Sequence, residues 1–277
     1  MVSKAPAQSF SGQFIHYINE GYNALAPEWQ AEIKTFIRNS QHPEGGFVNR
    51  AGKPDFYYSL FGVWISQALG LEDVLENHRK FITNSKTRQK NTIDIFAFLL
   101  IQMLLLNQNT GNPSLVKLLR LAFFESRQTS FHYRLFLFML VLDARYGNPL
   151  IFYPARPVLW LYKLPAESPC SIHAALLVTK KKVKLKTQYE TKQIFSFYEE
   201  GKGFKAFRDL KEGDLLSTAV ALFALKTTGA DLRLLAPGCF DFIGQCYCEG
   251  AFLAGNGDSF SDLEYTFYGL LALGTLI

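Results

Sequence analysis

Between Gly45 and Ser59 the chain reads GGFVNRAGKPDFYYS. It sets Arg50 and Lys53 just ahead of Asp55, Tyr57 and Tyr58, where an apolar run begins. Two cations in a loop that feeds a helix N-terminus suit an anion, through charge-assisted hydrogen bonds and the helix dipole. The competing reading is a surface turn whose cations meet only water. Asp94, in NTIDIF, lies inside the first turn of the next apolar segment and needs a partner if buried. In register it takes the place that Tyr265 holds in DLEYTF, beside Glu264. Asp55 and Asp94 facing one cavity from adjacent helices would share a proton or hold a magnesium ion beside a bound anion. Asp214 and Asp262 also open apolar runs and read as helix N-caps, each worth about 1 kcal/mol, while Asp55 serves as cap and site acid alike.

Several other chemistries lack their residues. Cys170, Cys239, Cys246 and Cys248 make no paired framework, and Cys246 and Cys248 are spaced too closely for a zinc chelate on one helix face. The five histidines do not cluster, and no nucleophile–histidine–acid grouping is legible. The net charge of +5 is modest, and its one dense stretch, TKKKVKLK from Thr179 to Lys186, is read as a solvated loop. A phosphate-tracking face would interleave such lysines with exposed aromatics, so no nucleic-acid partner is expected. The opening MVSKAPAQSF has no apolar signal core. The longest apolar run, Ile93 to Leu106, contains Asp94 and Gln102 and falls short of the roughly 20 residues of a membrane span. A cytoplasmic protein is expected, at most peripheral to a membrane, with reduced and mostly buried thiols.

The elements that must position these residues repeat along the chain. Hydrophobic residues make up 48% and charged residues 19%, enough to bury a sizeable core. Runs apolar on nearly every side are predicted as buried helices near 55–69, 91–106, 129–145, 168–180, 214–227 and 262–276. Amphipathic segments precede them, such as PEWQAEIKTFIRNS, EDVLENHRKFITNS, SLVKLLRLAFFESR and KTQYETKQIFSFYEE. Six such hairpins, roughly 35 to 48 residues apart, mark a helical repeat. The expected fold is all-α: an α/α toroid, with inner apolar helices inside an outer amphipathic ring. It forms a single domain over 1–277, with an N-terminal segment at 1–27 and the hairpin repeats over 28–277. An open solenoid is the competing form, but it wants polar capping repeats, and TFYGLLALGTLI is too apolar for one.

Glycine–aromatic turns precede three inner helices, EGGF at Glu44, GKGF at Gly201 and EGAF at Glu249. Glycine supplies a positive φ there, and the Phe tucks back onto the core. This outer helix, Gly-Gly-Phe turn, acidic start and apolar inner helix resembles the repeat of protein prenyltransferase β subunits and squalene/hopene cyclases. The likeness covers about two-thirds of the chain, and residues 107–186 share only the helical pattern. The opening stretch resembles the prenyltransferase signature most closely. Gly45, Gly46, Phe47, Arg50, Lys53, Asp55, Tyr58 and Ser59 fill its places, with one residue fewer between Lys53 and Asp55.

The resemblance implies that Arg50, Lys53 and Tyr58 bind the diphosphate of an isoprenoid, with magnesium as a diphosphate-bound ion. Asp55 and Asp94 would then be the catalytic acids, and Tyr57, Glu264 and Tyr265 would line the cavity. Tyr57 stands where the family has a zinc-binding Cys, and Tyr265 where it has the His, so zinc is not expected. The cyclases' Asp-x-Asp-Asp acid is matched only by DLLST at Asp214 and DLEYT at Asp262, where Leu216 and Glu264 hold the central place. Two functions remain open. One is an isoprenoid-diphosphate protein catalysing prenyl transfer or cyclisation without zinc, alone or with a partner subunit. The other is a non-catalytic toroid that binds a lipid or scaffolds a partner protein.

Overall fold

The computed structural model describes residues 9–85, 91–106, 113–124, 131–255 and 257–277, and for 131–133 the backbone alone. Helices α1 (Phe10–Asn23), α2 (Pro27–Asn39), α3 (Phe56–Leu69), α4 (Glu72–Asn84) and α5 (Thr92–Leu106) come first. Then follow α6 (Leu115–Phe124), α7 (Phe131–Tyr146), the 3-10 turn η1 (Pro149–Ala155), α8 (Arg156–Leu161), α9 (Cys170–Lys182) and α10 (Gln188–Phe195). Helices α11 (Leu215–Thr228), α12 (Ala236–Gln245) and α13 (Leu263–Leu276) complete the order. The strands among the described residues are two-residue antiparallel pairs, β1 (Tyr198–Glu199) with β2 (Gly203–Phe204) and β3 (Tyr247–Cys248) with β4 (Ala251–Phe252). The protein is therefore mostly helical, as the apolar periodicity predicts.

Two compact units divide the chain, one formed by Met1–His16 and Lys34–Asn148, the other by Tyr17–Ile33 and Pro149–Ile277. In the first, α3 packs on α5 and α5 on α7, with α4 laid against α3 and α5, and α6 against α7. Helix α5 buries Phe96, Ala97, Leu100 and Ile101 completely, which is why its stretch is apolar on every side. The segment from Ile93 to Leu106 is thus a core helix, and no described helix is long and apolar enough to cross a membrane. The start expected for α7 at Thr129 lies outside the described residues.

In the second unit α9 packs on α11 and α11 on α13, with α10 against α9 and α12 against α13. The α1 residues of this unit lie backbone to backbone on α13. A Cβ on Gly21 would fall 2.2 Å from the Leu270 carbonyl oxygen, and one on Gly274 would fall 1.7 Å from that of Tyr17. Only glycine permits helices to approach that closely.

Three hairpins share one internal lock. Phe47, Phe204 and Phe252, the aromatics of the glycine turns, are almost wholly buried. Each backbone N–H donates to a hydroxyl in the first turn of the following inner helix: Phe47 to Ser59 Oγ at 3.0 Å, Phe204 to Thr218 Oγ1 at 2.9 Å and Phe252 to Thr266 Oγ1 at 3.3 Å. Four residues before each hydroxyl, Asp55, Asp214 and Asp262 cap their helices by accepting from the N–H of Tyr58, Ser217 and Tyr265. Seven residues after the first and last of these acids, Gly62 and Gly269 leave room for the rings of Phe47 and Phe252, which a Cβ would meet at 2.4 Å. The predicted caps and the inward-turned Phe are both present.

The hairpin ending in α9 departs from this pattern. Its outer member is η1 with the six-residue α8, and α8 buries none of its side chains. The Thr179–Lys186 stretch also differs from the solvated loop expected. It begins as the last turn of α9, where Lys180 is buried and pairs with buried Glu190 at 2.5 Å. Lys180 Nζ also donates to the Tyr162 carbonyl oxygen at 3.0 Å. A run of like charges read along the sequence conceals that one member has a partner ten residues downstream.

Candidate functional site

The loop between α2 and α3 is held from beneath before any ligand is considered. Gly45 sits at φ +98°, and a Cβ there would fall 2.3 Å from the Asn77 carbonyl oxygen. Its own carbonyl accepts from Gln41 Nε2 at 3.0 Å and from the His78 Nδ1–H at 2.8 Å. His78 is fully buried, stacked on Phe47, and burial pushes its pKa down to about 4, so it serves as a neutral donor. Gln41 Nε2 also donates to the Val74 carbonyl at 2.9 Å, tying the turn to α4.

Beyond the turn, Asn49 organises the charged residues. Its Oδ1 accepts from the N–H of Ala51 at 2.9 Å and of Lys53 at 3.2 Å, closing the loop that carries Arg50 and Lys53. Its Nδ2 donates to Asp55 Oδ2 at 2.9 Å, while Asp55 Oδ1 accepts from the Tyr58 N–H at 2.8 Å. Arg50 and Lys53 are exposed; Asp55, Tyr57 and Tyr58 are half-buried at the start of α3. The Tyr57 ring stands edge-on to Tyr58 and Phe61, with centroids 5.6 and 5.0 Å away.

Asp94 enters the same neighbourhood from α5. It is half-buried in the first turn, where its N–H donates to Asn91 Oδ1 at 2.9 Å. Burial raises the Asp55 pKa from its ordinary value, against the pull of its hydrogen bonds, and the charge of Asp94 pushes it further up. The charge of Asp94 is thus felt at Asp55. Together with two exposed cations and two half-buried tyrosines, the two acids form a polar cluster at the N-terminal ends of two packed helices. Such a cluster can bind an anion. It can also present two carboxylates to a magnesium ion that an anionic ligand supplies, since magnesium commonly takes one or two protein carboxylates beside phosphate oxygens. Among the described residues no three His, Cys, Asp or Glu side chains are grouped to hold a metal by themselves.

Glu264 and Tyr265 belong to the second unit, whereas Arg50, Lys53, Asp55, Tyr57, Tyr58 and Asp94 belong to the first. Both are half-buried in the first turn of α13, and the Tyr265 N–H donates to the Asp262 cap at 2.9 Å.

Two residues of the first unit escape a reading by motif. Asn49 was legible as an Asx-turn former ahead of the RAGK turn, although its bond to Asp55 was not. Arg134 lies on α7, the helix packed on α5, and is buried, yet its Nε and one Nη find no hydrogen-bond partner among the described residues. A buried guanidinium wants an anion, and nothing in the local sequence marks it as buried. Compared with known proteins, the chain matches no family model and no curated protein.

Proposed function

We propose that this chain is an isoprenoid-binding helical-hairpin protein that takes a prenyl diphosphate at the N-terminal ends of α3 and α5. Arg50, Lys53 and Tyr58 hold the diphosphate, and the Asp55–Asp94 pair would hold a magnesium ion that offsets its charge. Tyr57 and the apolar inner helices beside it face the hydrocarbon chain. Ionisation of the allylic diphosphate, followed by transfer or cyclisation without zinc, is the chemistry that such a set supports. The observation that carries this reading is the half-buried Asp55, raised in pKa by burial and by Asp94, at the end of a loop bearing two exposed cations. The reading includes closure of the hairpins into an α/α toroid, which small-angle X-ray scattering tests against an open superhelix.

A second reading is favoured by one fact: both Asp55 oxygens are already hydrogen-bonded within the loop. In that reading the acids are structural, and the chain is a lipid-binding or protein-interaction scaffold. A thermal-shift screen with geranyl, farnesyl and geranylgeranyl diphosphates, with and without magnesium, separates the two. Diphosphate binding predicts stabilisation of the wild type and a loss of about 1.5 to 3 kcal/mol of affinity in Arg50→Ala, roughly ten- to a hundredfold. The stability of the free Arg50→Ala protein should stay within about 0.5 kcal/mol of wild type. No shift with any of the three puts the scaffold reading first.

A further inference from the structure

In the second unit an open groove of about 1020 Å³ lies between α8 and the end of α9. Lys163, Lys184 and Lys186 line it, together with Arg156 and the aromatic rings of Trp160 and Tyr189. Its one acid, Glu190, is neutralised by Lys180, so the groove carries a surplus of positive charge. Lys163 Nζ stands 5.5 Å above the Tyr189 ring, which keeps that ammonium at the groove wall.

The helix along one side is apolar where it should be polar. On α8, Val158, Trp160 and Leu161 are 67%, 70% and 71% exposed, and Tyr162 follows at 43%. The outer helix α4 instead turns Glu72, Asp73 and Glu76 to solvent. A six-residue helix that buries none of its side chains and exposes three apolar ones offers the kind of surface that marks an interaction site.

Charge and chemistry select the partner. A single-stranded nucleic acid would use the lysines and the flat rings, because bases stack on aromatic faces. It has no use for Val158 and Leu161, which are aliphatic and about as exposed as the tryptophan between them. A bilayer uses all of them. Tryptophan and tyrosine settle at the headgroup level, aliphatic side chains reach the acyl boundary, and lysines meet anionic headgroups. We propose that α8 and the lysine groove behind it dock this chain on a negatively charged lipid surface, with Val158, Trp160 and Leu161 entering the interface and Lys163, Lys184 and Lys186 contacting lipid phosphates. The proposal does not rest on the isoprenoid reading.

The test is co-sedimentation of the full chain with vesicles of phosphatidylcholine alone and of phosphatidylcholine mixed with phosphatidylserine. Binding to the mixed vesicles, weakened by salt and weak or absent with the neutral ones, is expected. Lys184→Glu with Lys186→Glu should lower that binding by about tenfold or more, since each cation near an anionic surface is worth roughly a factor of five. Trp160→Ser with Leu161→Ser should lower it while leaving the salt dependence of what remains. All four residues are exposed, so circular dichroism melting should match wild type. Lys80→Glu with Lys211→Glu changes the net charge equally and should have little effect. Equal binding to neutral vesicles, no binding to either, or an equal loss in the control pair overturns the proposal. So does a fluorescent single-stranded oligonucleotide that binds more tightly than the mixed vesicles and depends on Lys184 and Lys186.

Discussion

The backbone N–H of Phe47 donates to the hydroxyl of Ser59 at 3.0 Å, and both residues are completely buried. The bond joins the turn that enters a hairpin to the first turn of its inner helix, so neither can shift without the other. The same bond joins Phe204 to Thr218 and Phe252 to Thr266.

Thr218→Val keeps the shape of the side chain and removes the acceptor. The Phe204 N–H is then buried without a partner, at a cost of about 1 to 3 kcal/mol. Urea denaturation should show that loss. Thr218→Ser, which restores the hydroxyl, should recover much of it. Equal losses in both variants would mean that the methyl group, rather than the hydrogen bond, carries the stability.

Acid should weaken the protein through His78. Its pKa in the folded chain is about 4, against an ordinary 6.5, because burial disfavours the imidazolium. Between those values the unfolded chain binds a proton that the native chain does not. Stability is therefore whole above that window and falls as pH drops through it, by up to about 3 kcal/mol at its lower end. His78→Gln can still donate to the Gly45 carbonyl and should flatten this part of the profile. His173, whose pKa is also lowered to about 4, adds to the slope, so the informative quantity is the difference between variant and wild type. Identical pH profiles would remove His78 from the account.

The Asp55–Asp94 relationship has its own titration signature. A carboxylate raised in the folded state binds its proton more tightly there, so its contribution to stability is greatest at acid pH and declines as pH rises past the ordinary carboxylate range. Asp94→Asn removes the like charge and should bring the Asp55 titration down. It should not return all the way, because burial is the larger cause. Carboxyl-carbon NMR reads this directly. A titration that does not move would mean that Asp55 and Asp94 do not share a site.

The inner helices are legible in sequence because burial on every side leaves a run with no polar face, as in Phe96–Ile101, and the Asp caps are legible because capping is local. The long-range fastenings are not. Nothing near Gly45 in the sequence announces that Gln41 and His78 will converge on its carbonyl, since His78 reaches it from the next helix. Arg50, Lys53, Asp55 and Tyr58 could be picked out as a cluster, yet Asn49, which closes their loop, reads as an ordinary turn residue. The α8 segment resisted reading for the opposite reason. RPVLWLY looks like a stretch to be buried, and its exposure becomes visible only once the helices around it are placed.

The close approach of Gly21 to Leu270 and of Gly274 to Tyr17 has a consequence for the order of assembly. Residues 17–33 emerge from the ribosome more than a hundred residues before the rest of the unit they belong to, which begins at Pro149. Ile18 and Tyr22, buried in the finished protein, must remain uncovered while the intervening chain is synthesised. Contacts between positions so distant in sequence form slowly and leave apolar surface open to aggregation meanwhile. The seating of α13 against α1 therefore waits for all the chain between them, and a chaperone's window of action falls before it.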